Sequence, residues 1–190
     1  MIRSEILREI APILRDQLVV CNIGIPSQEL HAIDDQPTNF YMLGTMGLAS
    51  SIGLGLALAQ PKTVIAIDGD GSVLTNLGTL PTIANNVADN YILMIIDNGS
   101  YGSTGDQPTY TGKKTSLAGM ARAAGCENVV EIMDVDGAAV VGIDHEETMQ
   151  VAGGIRRELE AGGLMCKGLE APSPEQTFTS LVFDHKQAQV

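Results

Sequence analysis

Apolar residues follow two patterns along the chain, one with helical spacing and one in short continuous runs. Residues 2–15 carry isoleucine and leucine at helical spacing, which predicts an amphipathic helix. The runs at 18–21, 63–68 and 91–96 have the length and composition of buried parallel strands. Weaker patterns predict helices over 74–87, 116–124 and 146–160 and strands over 129–132 and 164–167. Strands that alternate with helices predict an α/β fold, a doubly wound and mostly parallel sheet with helices on both faces.

The segment Met42–Ala59 has no charged residue over 18 positions, which is close to the length of a membrane span. It is rich in glycine, serine and threonine, so we expect a turn that leads into a helix ending at Ala59 and packed closely against a sheet. Before it, Ser27 is expected to cap a short helix through about Ala32, and residues 34–39 are expected to form a polar loop.

The length of 190 residues predicts one domain. We assign residues 1–167 to it. Beyond residue 167 the hydrophobic pattern is weak and two prolines occur, so residues 168–190 are interpreted as a C-terminal tail.

Composition excludes several classes of function. Eleven basic and 23 acidic residues give a net charge of −12, which disfavours binding to nucleic acid or to an anionic membrane surface. Three widely spaced cysteines form neither a disulfide framework nor a thiolate metal motif. The charged N-terminal segment does not resemble a signal peptide, so we expect a cytoplasmic protein with reduced cysteines.

The first polar cluster, Asp68-Gly69-Asp70-Gly71-Ser72, follows the second apolar run. Ligands of open parallel sheets bind beyond the carboxyl ends of the strands. The glycines allow the backbone to approach a ligand, and Asp70 is a hard oxygen donor suited to Mg²⁺ bound together with phosphate oxygens. Taken alone, the cluster favours a strand-to-helix turn capped by an aspartate over a ligand site.

The second polar cluster, which contains Asn98, favours a ligand site at this edge instead. Asn98 follows Gly71 by one predicted helix and one predicted strand, which returns the chain to the same edge of the sheet. Asp70 and Asn98 can then face one ion from neighbouring strands, and a carbonyl of the following turn can add a third protein ligand.

Together, Gly69-Asp70-Gly71 and Asn98 resemble the paired metal and cofactor motif of thiamine diphosphate-dependent decarboxylases. The sequence departs from that motif at Asp97, where the family has asparagine. The resemblance implies that Asp70, Asn98 and the carbonyl of Ser100 hold Mg²⁺ and that Gly71 and Ser72 hold the diphosphate. It also assigns cofactor contacts to Gly69 and, in a loop over residues 101–105 that covers the site, to Tyr101 and Gly102.

A second match lies upstream, at Gly44-Thr45-Met46-Gly47. In the family, a turn of this kind contacts the organic rings of the cofactor. The resemblance implies that the Gly44 carbonyl accepts from the aminopyrimidine, that Thr45 belongs to the same contact, and that Met46 supports the bent cofactor. Met46 is otherwise an ordinary core methionine.

Segments 22–30, 40–51 and 101–105 are similar to the β-subunit family of sulfopyruvate decarboxylases. This similarity implies a carboxy-lyase that converts 3-sulfopyruvate to sulfoacetaldehyde and CO₂ for coenzyme M biosynthesis. Such enzymes also need a pyrimidine-binding domain that donates a glutamate, and no glutamate of this chain lies in a matching motif. The resemblance therefore implies an α subunit as partner, in a hetero-oligomer that is active only when assembled.

Several alternatives remain open. One is a phosphonopyruvate decarboxylase, which shares the 40–51 region, and another is a subunit that acts on a different 2-oxoacid. A non-catalytic module that binds thiamine diphosphate or phosphate would carry the same motifs. A subunit of a ferredoxin-linked oxidoreductase is disfavoured because clustered cysteines are absent from the sequence.

Overall fold

A seven-stranded sheet forms the centre of the computed structural model, which describes residues 3–86, 88–127, 129–133, 139–142 and 165–167. The strands are β1 (Leu18–Cys21), β2 (Asn39–Tyr41), β3 (Val64–Gly69), β4 (Tyr91–Asp97), β7 (Val130–Met133), β8 (Ala139–Gly142) and β9 (Met165–Lys167). A separate two-stranded hairpin consists of β5 (Ser100–Tyr101) and β6 (Gln107–Pro108). The helices are α1 (Arg3–Leu14), α2 (Ile25–Asp34), α3 (Ala49–Ala59), α4 (Asp70–Thr75), α5 (Thr79–Asn86) and α6 (Leu117–Ala123).

The strand order is β2-β1-β3-β4-β8-β7-β9. The first four strands are parallel to one another, and each of the three pairings after β4 is antiparallel. Every residue of β4 is buried, so both faces of the sheet are covered at its centre. The predicted α/β class with a mostly parallel sheet is therefore confirmed, and its parallel part positions the polar clusters.

Two predicted helices differ from the structure in their bounds. The helix expected over 74–87 is two helices, because the chain leaves helical geometry at Asn76, whose side-chain amide donates to the Gly47 carbonyl at 2.8 Å. Ser27 does not cap α2, which begins two residues earlier at Ile25. The Ser27 hydroxyl instead donates to the Asn22 carbonyl at 2.6 Å.

Strands β2 and β8 were not predicted, because each is short and lies in a segment without a clear alternating pattern. The strand predicted over 18–21 is confirmed residue for residue by β1. The predicted helix over 146–160 and the predicted tail over 168–190 lie outside the described residues.

Helix α3 covers only 11 residues of the uncharged segment. In the described part of the chain, no helix is long and apolar enough to cross a membrane. The predicted close packing is present instead: a Cβ atom added to Gly53 would lie 2.9 Å from the Ala66 Cβ on β3 and 3.0 Å from the Tyr91 ring on β4. The absence of a side chain at position 53 therefore sets the distance between α3 and the sheet.

The two glycines of α3 provide a matched test of this packing. Gly53→Ala should destabilise the chain by about 1–3 kcal/mol, because the added methyl group has no room. Gly55→Ala should stabilise it by up to about 1 kcal/mol, because no heavy atom lies within 4 Å of its Cβ position and alanine favours the helix. Urea unfolding measures both changes, and equal effects of the two substitutions would contradict the packing.

Candidate functional site

The carboxyl ends of the parallel strands meet at one edge of the sheet. Asn22 follows β1, Asp70 follows β3 and Asn98 follows β4, and Gly69 lies beside Ile96 in the register of β3 and β4. A cavity opens at this edge. Its lining includes most of the predicted site residues: Met46, Gly69, Asp70, Gly71, Ser72, Asn98, Ser100, Tyr101 and Gly102.

The predicted metal ligands converge at the mouth of this cavity. One end of the Asn98 amide lies 3.1 Å from Asp70 Oδ1 and 2.9 Å from the Ser100 carbonyl oxygen. In the ion-free chain, an N–H at that end donates to both oxygens. With Oδ1 at that end, the amide oxygen lies from each of the other two oxygens at about the 3.0 Å separation of neighbouring ligands around an octahedral Mg²⁺ with bonds of about 2.1 Å. The residues present therefore fit the ion.

The ligand set consists of a carboxylate, an amide and a backbone carbonyl. Within the described residues, no group of three histidine, cysteine, aspartate or glutamate side chains could hold a metal. Hard oxygen ligands that leave several positions free for phosphate and water are the kind that Mg²⁺ uses.

Burial disfavours the charged form of the carboxyl groups at this site. Asp70 is 1% exposed, and burial raises the pKa of its carboxyl group, while hydrogen bonds from Thr109 and Thr111 act in the opposite direction. Asp68 also lines the cavity, and Arg3 is the one cation among the described lining residues. A divalent cation would therefore favour the entry of a diphosphate.

Gly71 lines the cavity, and the side of its backbone where a Cβ would stand is covered by an aromatic ring. The Tyr101 ring lies directly against Gly71, so that any side chain at position 71 would overlap the ring. Tyr101 and Gly102 belong to the hairpin at the cavity, which places the predicted covering loop at the site.

The predicted turn at 44–47 lies against α4. Gly47 has φ 90°, and a Cβ at this position would lie 3.0 Å from the Asn76 Cβ and 3.1 Å from the Ser72 carbonyl. The Gly47 N–H donates to the Ser72 hydroxyl at 2.9 Å. The turn and the first polar cluster therefore form one rigid unit.

The side chains of the turn differ in their access to the cavity. Met46 is 43% exposed and lines the cavity, so the interpretation of Met46 as a core methionine is wrong. Gly44 and Thr45 do not line it, and the Gly44 carbonyl accepts from the Thr45 hydroxyl at 2.6 Å. A cofactor contact at Gly44 stays a prediction.

Two buried residues at the cavity were not among the predicted site residues. Asn22 is 7% exposed, and its Oδ1 accepts from the Ser72 hydroxyl at 3.3 Å. Asp68 is 2% exposed, with Oδ1 accepting from the Gly69 N–H at 3.0 Å and Oδ2 without a hydrogen-bond partner. Both are polar residues at strand ends, so the rule that selected Asp70 and Asn98 would also have selected them.

Two threonines of the segment after β6 were missed as well. Thr109 and Thr111 are buried and contact Asp70 Oδ2, although 39 and 41 residues separate them from Asp70 in the sequence. No motif in the sequence marks them.

Comparison with known proteins decides the family. Residues 26–166 match the model of the thiamine pyrophosphate enzyme C-terminal domain, which binds thiamine pyrophosphate. Over 128 residues the chain is 54% identical to the sulfopyruvate decarboxylase subunit beta of Methanocaldococcus jannaschii, covering 67% of this chain and 68% of that protein. The chain belongs to the sulfopyruvate decarboxylase β-subunit family of thiamine pyrophosphate enzymes.

A more distant relative of this β-subunit-family protein is the phosphonopyruvate decarboxylase of Streptomyces viridochromogenes. It is 40% identical over 129 residues, which are 68% of this chain but only 32% of that protein. Among solved structures, a thiamin diphosphate-dependent enzyme from Mycobacterium smegmatis aligns with a TM-score of 0.51 at 19% identity, over 83% of this chain and 29% of that one. The last comparison supports the fold alone.

Asp68 should make the stability of the metal-free and cofactor-free chain depend on pH. Burial raises the pKa of Asp68 to about 6, whereas an unfolded aspartate titrates near pH 3.9. The protonated carboxyl therefore favours the folded state below pH 4, and this contribution is lost as the pH rises through 6. Urea unfolding of Asp68→Asn and of the unsubstituted chain measures this effect. The free energy of unfolding of the variant minus that of the unsubstituted chain should rise by about 2–3 kcal/mol between pH 4 and 7.5. A constant difference across this range would contradict the assignment.

Proposed function

We propose that this chain is the cofactor-binding subunit of a thiamine diphosphate- and Mg²⁺-dependent decarboxylase that converts 3-sulfopyruvate to sulfoacetaldehyde and CO₂. The observation that carries the proposal is the convergence of Asp70, Asn98 and the Ser100 carbonyl at the cavity. Membership in the β-subunit family supports the choice of substrate.

Each residue has a defined task in this proposal. Asp70, Asn98 and the Ser100 carbonyl hold Mg²⁺, and Gly71 and Ser72, which line the cavity, hold the diphosphate that shares the ion. Bound thiamine diphosphate supplies the electron sink that a 2-oxoacid needs to lose CO₂. Tyr101 and the hairpin would cover the bound cofactor and limit the access of water to it.

A partner subunit is part of the proposal, because the described cavity lacks a required group. Among its described lining residues there is no glutamate, and Glu29 is paired with Arg3 at 2.7 Å. The region that matches this chain is about one third of the Streptomyces phosphonopyruvate decarboxylase. It is about two thirds of the Methanocaldococcus jannaschii β subunit. The longer relative therefore has room for a second domain that this chain would receive from an α subunit with a pyrimidine-binding domain.

The surface beside the cavity supports such an interface. Exposed apolar side chains cluster between residues 40 and 52, and Leu43 is 96% exposed. We call this cluster the 40–52 patch; its members are Phe40, Leu43, Met46, Leu48 and Ile52. Since Met46 also lines the cavity, a subunit bound to the patch would lie next to the cofactor.

Phosphonopyruvate is the second candidate substrate, favoured by the Streptomyces relative. A phosphonate approaches two negative charges near neutral pH, whereas a sulfonate carries one. The described cavity offers Arg3 as its one lining cation, and the whole chain has a net charge of −12. These charges favour the sulfonate.

The metal site is tested by removing its ligands. Asp70→Ala and Asn98→Ala should each weaken Mg²⁺-dependent binding of thiamine diphosphate to the assembled enzyme by at least about a hundredfold, because ion and diphosphate share charge at one site. Isothermal titration calorimetry measures this change, with the exposed Asp16→Ala as control. Unchanged affinity in a folded Asp70→Ala enzyme would contradict the site.

The partner requirement is tested by reconstitution. The isolated chain should not decarboxylate sulfopyruvate, because the described residues that line the cavity include no glutamate to activate the cofactor. Activity should appear as purified α subunit is titrated in, and substitution of that subunit's activating glutamate by glutamine should abolish it. Full turnover by the isolated chain would refute the split site, and cofactor binding without turnover in the assembled complex would favour a non-catalytic module.

The patch is tested in the same titration. Leu43→Asp should raise the α-subunit concentration needed for half-maximal activity at least tenfold, because a charge is placed in an apolar interface. Leu58→Asp, towards the other end of α3, is the matched control, since Leu58 is also exposed. An unchanged titration curve for Leu43→Asp would remove the 40–52 patch from the interface.

Substrate choice is tested by comparing the steady-state kinetics of the two oxoacids. Sulfopyruvate should have the higher kcat/KM for the assembled enzyme at neutral pH, because its sulfonate needs less positive charge at the site. Steady-state assays with each substrate decide this. Faster turnover of phosphonopyruvate would replace the proposed substrate with the second candidate.

A further inference from the structure

Two buried hydroxyl groups connect the candidate metal ligand Asp70 to the neighbouring strand end. The Thr109 hydroxyl lies 2.5 Å from Asp70 Oδ2, and the Thr111 hydroxyl lies 3.1 Å from the same oxygen. The Thr111 hydroxyl shares its one hydrogen between this oxygen and Asp97 Oδ1, which is 2.7 Å away, and the two hydroxyl oxygens are 2.8 Å apart. All four residues are at most 7% exposed.

The two oxygens of the Asp70 carboxylate make different contacts. Oδ2 faces the threonines, whereas Oδ1 faces the Asn98 amide beside the Ser100 carbonyl. Turning the plane of the carboxylate away from this orientation would move its oxygen out of reach of both hydroxyl groups. The hydroxyl groups therefore hold Oδ1 towards the place where the three candidate ligands converge.

Asp97 gives the same network a second function. Its Oδ1 accepts from the Gly99 N–H at 2.9 Å as well as from Thr111, and so fixes the turn that presents Asn98 and the Ser100 carbonyl. The Gly99 carbonyl in turn accepts from the Thr109 N–H at 2.8 Å. Thr111 therefore connects the aspartate at the end of β3 to the turn at the end of β4.

We propose that Thr109 and Thr111 are positioning residues of the metal site, which set the orientation of Asp70 relative to Asn98 and the Ser100 carbonyl. The proposal rests on the magnesium site of the proposed function. Groups that orient metal ligands typically change metal affinity by about 10–100-fold when they are removed.

The test uses the complex of this chain with its partner subunit, with Mn²⁺ as the probe ion and saturating thiamine diphosphate. Thr109→Val and Thr111→Val keep the side-chain shape and remove the hydroxyl group. Each should raise the Kd for Mn²⁺, measured by electron paramagnetic resonance, by about tenfold or more. Thr82→Val, at an exposed threonine of α5 whose hydroxyl donates to a backbone carbonyl, should leave the Kd unchanged.

A second pair of variants covers the case in which a valine variant does not fold. Thr111→Ala and Thr111→Ser both remove the methyl group, and only the serine keeps the hydroxyl group. The alanine variant should bind Mn²⁺ about tenfold more weakly than the serine variant, which should remain close to the unsubstituted complex. Equal affinities of the two variants would overturn the proposal.

A kinetic readout separates positioning from a general loss of structure. The activity lost in Thr111→Val should return when the Mg²⁺ concentration is raised, with kcat recovered and only the Mg²⁺ requirement increased. A deficit that saturating Mg²⁺ does not restore would overturn the proposal. If the unsubstituted complex binds no Mn²⁺ with thiamine diphosphate, both the magnesium site and this inference fail, whereas tight Mn²⁺ binding unchanged by every threonine substitution refutes the inference alone.

Discussion

The burial of Asp70 at the junction of β3 and α4 is the constraint on which the site depends. A carboxylate that is 1% exposed needs hydrogen bonds or a cation, since desolvation disfavours its charge. Here Thr109 and Thr111 satisfy one oxygen, and the other faces the Asn98 amide. The hairpin and the β4 turn are therefore held in place by the same group that the proposed magnesium ion would bind.

The opposite wall of the cavity depends on backbone packing. Gly47 allows the 44–47 turn to approach α4, and Asn76 and Ser72 hydrogen-bond to its carbonyl and N–H groups. The turn thereby presents Met46 at the cavity and leaves Leu43 exposed to solvent. One short segment thus combines a contact with the cavity and a surface suited to a partner, which is the arrangement expected where a site is completed by a second subunit.

Charge limits what the cavity can bind. Asp68 and Asp70 line it, and the guanidinium group of Arg3 is already paired with Glu29. A polyanionic ligand would meet net repulsion without a divalent ion, so cofactor and metal binding have to be coupled. The partner subunit would also have to contribute to holding an anionic substrate, because the described lining of this chain offers little positive charge for it.

The sequence by itself determined the fold class and the pairing of Asp70 with Asn98. Short apolar runs that alternate with helices leave few topologies, and one helix plus one strand between two polar clusters brings both to the same sheet edge. The sequence also identified the family motif despite Asp97. Only the tertiary structure decided the start of α3, the break at Asn76 and the contacts of Thr109 and Thr111 with Asp70. Those features depend on the path of an irregular loop and on side-chain contacts over about 40 residues, and neither leaves a periodic pattern in the sequence.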